Sequence, residues 1–245
     1  LGGGIVGLTM ANLLALIDGL NIKLIENKPT TLNFDNSAYD LRCSAIARAS
    51  RNVFNYLGVW NDIIAERVSP YEKMQLWHDQ DLACLNLTAE EINAEDLGHI
   101  IENRVIQRAL TRKLNTQSNV KIICGSAYRL EQNERQNRLY VADAPHDAQL
   151  IIGADGANSW LRSAAQIATY GWDYQQHAIV ATIKTELPHN KTAMQRFAAD
   201  GTLAFLPLDQ PNLCSIVWAS SVDQIKHLMQ LDTAEFCAVL AAEFA

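Results

Sequence analysis

The sequence predicts a mixed α/β fold (α+β overall) in which a Rossmann-type βαβ unit carries an inserted, sheet-rich domain. Three observations predict it. Gly2-Gly3-Gly4-Ile5-Val6-Gly7 is a glycine-rich turn that opens a helix and leads on to a short apolar strand. Leu150-Ile151-Ile152-Gly153-Ala154-Asp155-Gly156 again runs an apolar stretch into a glycine turn, with a helix after it. Beyond about residue 170, long β-type runs dominate, so strand-and-helix alternation gives way to sheet.

The elements follow in order. Residues 2–16 read as a turn and an apolar helix, with Val6, Met10, Leu13, Leu14 and Ile17 expected to cover its buried side and Asp18-Gly19 to end it. A strand is expected over 22–26, closed by Glu26, and a polar loop over 27–40. Ser44 is suited to N-cap a helix reaching Tyr56, with Gly58 as its C′ residue. Two short strands are expected between Lys73 and Leu87 around Asp79-Gln80-Asp81. Ile106, Leu110 and Leu114 mark a helix over 102–115. Strands over 120–124, 138–142 and 149–153 are read as a three-strand meander. The sheet-rich part supplies strands over 178–185, 203–208 and 213–219, and helical patterns return from Val222. Ile179, Ala181 and Ile183 are read as the buried face of their strand rather than as a ligand groove.

Composition narrows the function classes. The 245 residues include 49% hydrophobic and 19% charged side chains, a globular balance. With 20 basic against 27 acidic residues the formal net charge is −7, and no basic run offers a phosphate-binding surface for nucleic acid. No apolar stretch approaches the roughly 20 residues of a membrane span, and no export signal is visible. The five cysteines are scattered, odd in number and never in C-x-x-C, so small buried thiols in a reducing, cytoplasmic setting are expected. The six histidines show no metal-ligand spacing, and no metal role is assigned.

The chemistry lies in the two turns. Gly2 makes the tight turn, Gly4 lets backbone approach a pyrophosphate, and Gly7 lets the helix pack closely on the sheet. The helix presents free N–H groups and the positive end of its dipole to phosphate. Glu26 stands about 20 residues past the last glycine, where a carboxylate accepts hydrogen bonds from ribose hydroxyls and repels a 2′-phosphate. That favours FAD or NAD over NADP. Asp155 and Gly156 form a second turn able to approach a nucleotide, capped near Asn158 or Ser159. A purely structural strand-to-helix connection is the competing explanation.

The stretch Gly153-Ala154-Asp155-Gly156-Ala157-Asn158-Ser159, followed by Arg162, resembles the Asp-Gly motif of flavoprotein aromatic hydroxylases of the para-hydroxybenzoate hydroxylase type. Within that group, Leu41-Arg42-Cys43-Ser44-Ala45-Ile46, His99-Ile100-Ile101-Glu102-Asn103 and Ala204-Phe205-Leu206-Pro207-Leu208 resemble the ubiquinone-biosynthesis hydroxylases. Trp172 to Thr182 is most similar to their 2-octaprenylphenol hydroxylase branch. The resemblance implies an FAD-dependent monooxygenase that uses NAD(P)H and O2 to hydroxylate a prenylated phenol. It implies an FAD-binding domain over 1–70 and 98–169, and a substrate domain over 71–97 and 170–245. Gly2, Gly4, Gly7, Glu26, Asp155 and Gly156 match its cofactor positions. Arg42 matches an arginine near flavin and pyrophosphate, and Asn103 a polar residue at a helix start facing the pyrophosphate. Arg162 is expected to tie its helix back to the motif. No catalytic residue is singled out.

Both ends are expected to be cut: the first Rossmann strand has no residues here, and the family's Gly-Asp motif, which contacts the flavin, lies beyond Ala245. Two other functions therefore stay open, another aromatic-ring flavin hydroxylase and a non-catalytic FAD-binding module. Peripheral contact with a membrane or a ubiquinone-biosynthesis complex is a further implication of the resemblance.

Overall fold

The computed structural model describes residues 1–28, 31–33, 38–79, 83–133, 136–142 and 144–244. In chain order the elements are α1 (Ile5–Ala15), β1 (Ile22–Glu26), β2 (Cys43–Ala47), α2 (Arg48–Tyr56), α3 (Trp60–Ile64), β3 (Val68–Tyr71), β4 (Lys73–His78), β5 (Cys84–Thr88), β6 (Gly98–Glu102) and α4 (Asn103–Leu114). They continue with β7 (Val120–Cys124), β8 (Ala127–Gln132), β9 (Asn137–Val141), β10 (Ala144–Ala148), α5 (Trp160–Ala164), β11 (Gln176–Lys184), β12 (Thr192–Ala198), β13 (Gly201–Pro207), β14 (Leu213–Ser221), α6 (Val222–Leu228) and α7 (Thr233–Phe244). The chain divides into two compact units. One is Leu1–Asn36, Val53–Ile63 and Asn103–Gly171; the other is Ser37–Asn52, Ile64–Glu102 and Trp172–Ala245.

In the first unit, β1 pairs in parallel with β7, from Ile22 opposite Val120 to Glu26 opposite Cys124. Residues 1–2 extend this arrangement. Gly2 N–H donates to Ile25 O (2.9 Å), while Leu1 bonds on its other side to Ile152 O and Ala154 N–H, both at 2.7 Å. α4 buries Ile106, Leu110 and Leu114 as its periodicity predicts, each worth about 1.5–3 kcal/mol of apolar transfer.

α1 departs from expectation. Val6, Met10 and Ile17 are exposed, and the buried face is Gly7, Leu8, Ala11 and Asn12. Gly7 and Ala11 leave room on that face for α4 to cross close by. Asn12 Nδ2 donates to Leu8 O (2.9 Å) and, across the contact, to Leu110 O (3.0 Å), so the amide nitrogen of this buried side chain is paired. At the end of α1, Asn119 Nδ2 takes up the carbonyls of Ala15 (3.1 Å) and Leu20 (3.2 Å).

The meander also differs. It consists of β8, β9 and β10, all antiparallel, whereas 120–124 belongs to the parallel pair. The stretch 149–153 forms no strand; Ile152 within it and Ala154 just beyond it bond to the single residue Leu1.

The second unit contains the sheet β11-β14-β13-β12-β4-β5, antiparallel except where β12 runs parallel to β4. One face carries Ile179, Leu203, Phe205, Ile216 and Trp218 against Ile225, Leu228 and Leu240 of α6 and α7. Ala181 and Ile183 pack on the same cluster, so the stripe in β11 is a buried strand face. β12 escaped the sequence pattern because Arg196 interrupts its apolar alternation; the guanidinium is held by Glu243 at 2.5 Å. The turn His189–Thr192 that precedes β12 has Asn190 (φ 49°) and Lys191 (φ 54°) at its centre, closed by Thr192 N–H to His189 O at 2.9 Å.

A smaller sheet, β2-β6-β3, corrects the expected helix start at Ser44. Residues 43–47 form a strand paired with β6, and helix begins only at Arg48. The ladder to a fully buried β6 overrides the local propensity of Ser-Ala-Ile-Ala. Gly58 does close α2 with a left-handed φ of 71°. β4 and β5 pair as expected, although residues 80–82 of their turn lie outside the described residues. The cysteines do not share one environment: Cys214 alone is fully buried, its thiol pushed up to about 11 by burial, while Cys84, Cys124 and Cys237 are exposed. Among the described residues, no helix is long and apolar enough to cross a membrane.

Candidate nucleotide-binding site

At the carboxyl ends of β1 and β7 the first unit opens into a crevice of about 430 Å³. Open α/β sheets bind ligands in this position. Its walls come from the two glycine turns, from Glu26 and Asn27, and from Gly125 to Ala127.

The glycines differ in what surrounds them. Gly2 has φ 103°, and a Cβ there would stand 2.2 Å from Ala154 O, so the two turns touch through a position only glycine fits. A Cβ on Gly7 would meet Gly2 O at 1.9 Å. Gly4 is the opposite case: nothing lies within 4 Å of its Cβ position, and it lines the crevice. It is also the N-cap of α1, which has no side-chain cap and no acidic residue in its first turn. Bare N–H groups, a positive dipole end and open space at Gly4 suit a pyrophosphate.

Glu26 stands at the end of β1 on the crevice wall. One carboxylate oxygen, Oε2, accepts the N–H of Gly3, and Oε1 accepts that of Lys28 at 2.8 Å. Each oxygen has further lone-pair capacity, so the carboxylate is oriented by backbone while still able to accept hydroxyl donors.

Asp155 is differently employed. Its Oδ1 accepts Ser159 Oγ–H (2.6 Å) and Oδ2 accepts Leu161 N–H (3.1 Å). Burial opposes ionisation, but hydrogen bonds from Ser159 and from the N–H groups of Leu161, Asp155 and Trp160 outweigh it, holding the carboxyl below its usual range. Both oxygens thus brace the turn onto α5. Ser159 caps α5 by accepting Arg162 N–H (3.0 Å), and Arg162 Nη2 donates to Ala157 O (2.7 Å), tying the helix back to the motif. Gly156 completes the turn with φ 89° and open space at its Cβ position.

Gly2, Gly4, Glu26, Asp155 and Gly156 therefore meet at one crevice, with Gly7 supporting it from behind. Asn103 begins α4 in the same unit and is half-buried, and it is not among the residues lining the crevice. Arg42 belongs to the second unit, exposed just before β2, with its N–H donating to Asp40 Oδ1 at 3.0 Å. Gly125 and Ser126 were missed from sequence. The available signal was their position directly after a strand parallel to β1, which puts them at the ligand end of the sheet. Gly125 N–H donates to Glu26 O (3.0 Å), joining the two strand ends.

Comparison with known proteins agrees with this geometry. Residues 1–239 match the family described as "FAD binding domain". The chain is 34% identical to the 3-demethoxyubiquinol 3-hydroxylase of Escherichia coli, over 99% of its own length and 62% of that protein. It is 32% identical to the mitochondrial ubiquinone biosynthesis monooxygenase COQ6 of Danio rerio, over 99% of its own length and 53% of that protein. The chain thus spans between half and two thirds of these relatives. Among solved structures, PqsL of P. aeruginosa in complex with 2-aminobenzoylacetate aligns with a TM-score of 0.75 at 17% identity, covering 93% of this chain and 61% of PqsL. The flavin-dependent monooxygenase PieE in complex with FAD and substrate aligns at 0.72 and 16% identity, covering 98% and 45%. These two likenesses show a shared fold.

Proposed function

Because this chain belongs to the FAD-binding domain family, we propose that it is the cofactor-holding part of an FAD-dependent monooxygenase of ubiquinone biosynthesis, acting with NAD(P)H and O2 on a prenylated phenol. One observation carries the reading: two glycine turns distant in sequence, and the strand-end carboxylate Glu26, converge on a single crevice whose Gly4 corner is open. FAD supplies the redox chemistry and oxygen activation when bound. The chain's own residues bind and orient it. Gly4 and the first turn of α1 receive the pyrophosphate. Glu26 accepts the ribose hydroxyls, and Asp155 keeps the second turn in place. Arg42 and Asn103 are assigned to the cofactor by resemblance to the aromatic hydroxylases. The sheet-rich part is assigned to the substrate on the same ground, with hydroxylation in the 2-octaprenylphenol manner as the narrower reading. Contact with a membrane surface or a biosynthetic complex belongs to the same proposal.

The visible spectrum of the purified chain tests this. Bound yellow flavin, or its recovery on adding FAD, is the expected result; a chain that stays colourless with FAD in excess overturns it. Glu26→Ala should weaken FAD binding at least tenfold, since a hydrogen bond to a charged acceptor contributes about 1.5–3 kcal/mol; unchanged affinity removes the ribose role. NADH oxidation stimulated by a prenylphenol separates this hydroxylase from other aromatic-ring flavin hydroxylases. Flavin binding without any turnover identifies a non-catalytic module.

A further inference from the structure

Glu102, the last residue of β6, is only 2% exposed. A carboxylate at that depth needs charge and hydrogen-bond compensation. Arg67 supplies the charge, its Nη2 standing 2.9 Å from Glu102 Oε1. The other oxygen, Oε2, accepts the backbone N–H of Asp40 at 2.7 Å. Arg67 does more than neutralise. Its Nη2 also donates to Ala38 O at 2.8 Å, and its guanidinium lies 4.2 Å from the centroid of the Tyr39 ring. The Tyr39 hydroxyl in turn donates to Asp209, in the turn between β13 and β14. Burial, then the hydrogen bond and charge of Asp209, push that phenol up to about 12, so it remains a donor.

Ala38, Tyr39 and Asp40 are therefore each gripped, two by backbone and one by its ring and hydroxyl. The grip passes on, because Asp40 Oδ1 accepts the N–H of Arg42 at 3.0 Å. All of these residues belong to the second unit. A buried ion pair is weak evidence for stability, since apolar replacement of both partners is often neutral or stabilising. What an apolar pair cannot do is accept the Asp40 N–H and donate to Ala38 O.

We infer that the Arg67–Glu102 pair is a positioning device that fixes the backbone of residues 38–42 and so sets where Arg42 stands. Its bearing on catalysis rests on the proposed cofactor role of Arg42. Arg67 and Glu102 act through the segment they hold.

The test removes both charges together, in Arg67→Met/Glu102→Leu, and reads amide hydrogen exchange and FAD affinity against the parent chain and Arg42→Ala. Exchange at Asp40 and Arg42 should accelerate at least tenfold while the denaturation midpoint stays close to the parent. FAD affinity should fall about as far as in Arg42→Ala, and adding Arg42→Ala to the double variant should cause little further loss. Unchanged protection at Asp40 and Arg42 in the folded double variant overturns the inference. So do losses that simply add. If Arg42→Ala itself leaves FAD affinity unchanged, the cofactor role of Arg42 fails, and the exchange rates still decide whether the pair positions the segment. Glu102→Gln serves as the conservative variant: it keeps an oxygen acceptor and should retain Asp40 protection that Glu102→Leu loses. Equal exchange in these two variants counts against the inference.

Discussion

Gly4 and Gly7 lie one helical turn apart, and substitution at each should fail for a different reason. Gly7→Ala drives a methyl group against Gly2 O, a contact of 1.9 Å before relaxation. It should lower stability by about 3 kcal/mol, measured by urea unfolding, because two backbone segments must part to admit it. Gly4→Ala meets nothing within 4 Å. Its unfolding midpoint should match the parent, and its defect should appear only in FAD affinity. Equal destabilisation by the two substitutions would contradict the roles assigned. The sequence motif assigned distinct tasks to these glycines, and the neighbours of each Cβ position are consistent with that division. At Asp155 the residue type was legible but not its use: its oxygens brace α5 through Ser159 and Leu161, a fact that depends on the folded turn.

Among the elements, the turn before β12 stores local strain. Asn tolerates the left-handed region, whereas Lys191 adopts φ 54° against its intrinsic preference. The His189 ring holds the turn in shape. Its Nδ1 accepts Lys191 N–H at 3.0 Å, which places the ring proton on Nε2, facing Leu208 O (2.9 Å) and Gln210 O (3.0 Å). Lys191→Gly should therefore raise stability by about 1 kcal/mol, since glycine relieves the strained φ and only an exposed ion pair to Glu72 is lost. A lowered denaturation midpoint would refute this. Elements with strong local periodicity, such as α4 and β1, were legible from sequence. β2 and β6 were not, because their strand character comes from pairing with each other across some fifty residues.

The whole molecule should respond to acid in two stages. Burial disfavours the imidazolium of His99; Asp96 opposes that effect and Arg51 adds to it, leaving the pKa below its ordinary value. The unfolded chain then takes up a proton near pH 6.5 that the folded chain resists, so stability is full above about pH 7 and declines as pH falls below it. Asp155 is held below its ordinary value, so its contribution persists above about pH 4 and is lost as pH falls through the folded value. Urea midpoints between pH 8 and pH 3 should show both stages, and His99→Gln should flatten the first. An unaltered slope between pH 7 and pH 5 in that variant would show that His99 does not govern it.

The sequence by itself determined the nucleotide-binding turn, the strand ending in Glu26, the second glycine turn and the helix carrying Ile106, Leu110 and Leu114. Each is written in residues close together along the chain, where spacing and backbone chemistry act locally. Only the tertiary structure decided that α1 buries Gly7, Leu8, Ala11 and Asn12 rather than the face carrying Val6, Met10 and Ile17, since the approach of α4 selects the face. It also decided that Gly125 and Ser126 join the crevice and that Arg67 and Glu102 grip residues 38–40. Those features arise from contacts between distant segments, and no periodicity within one segment specifies its partner.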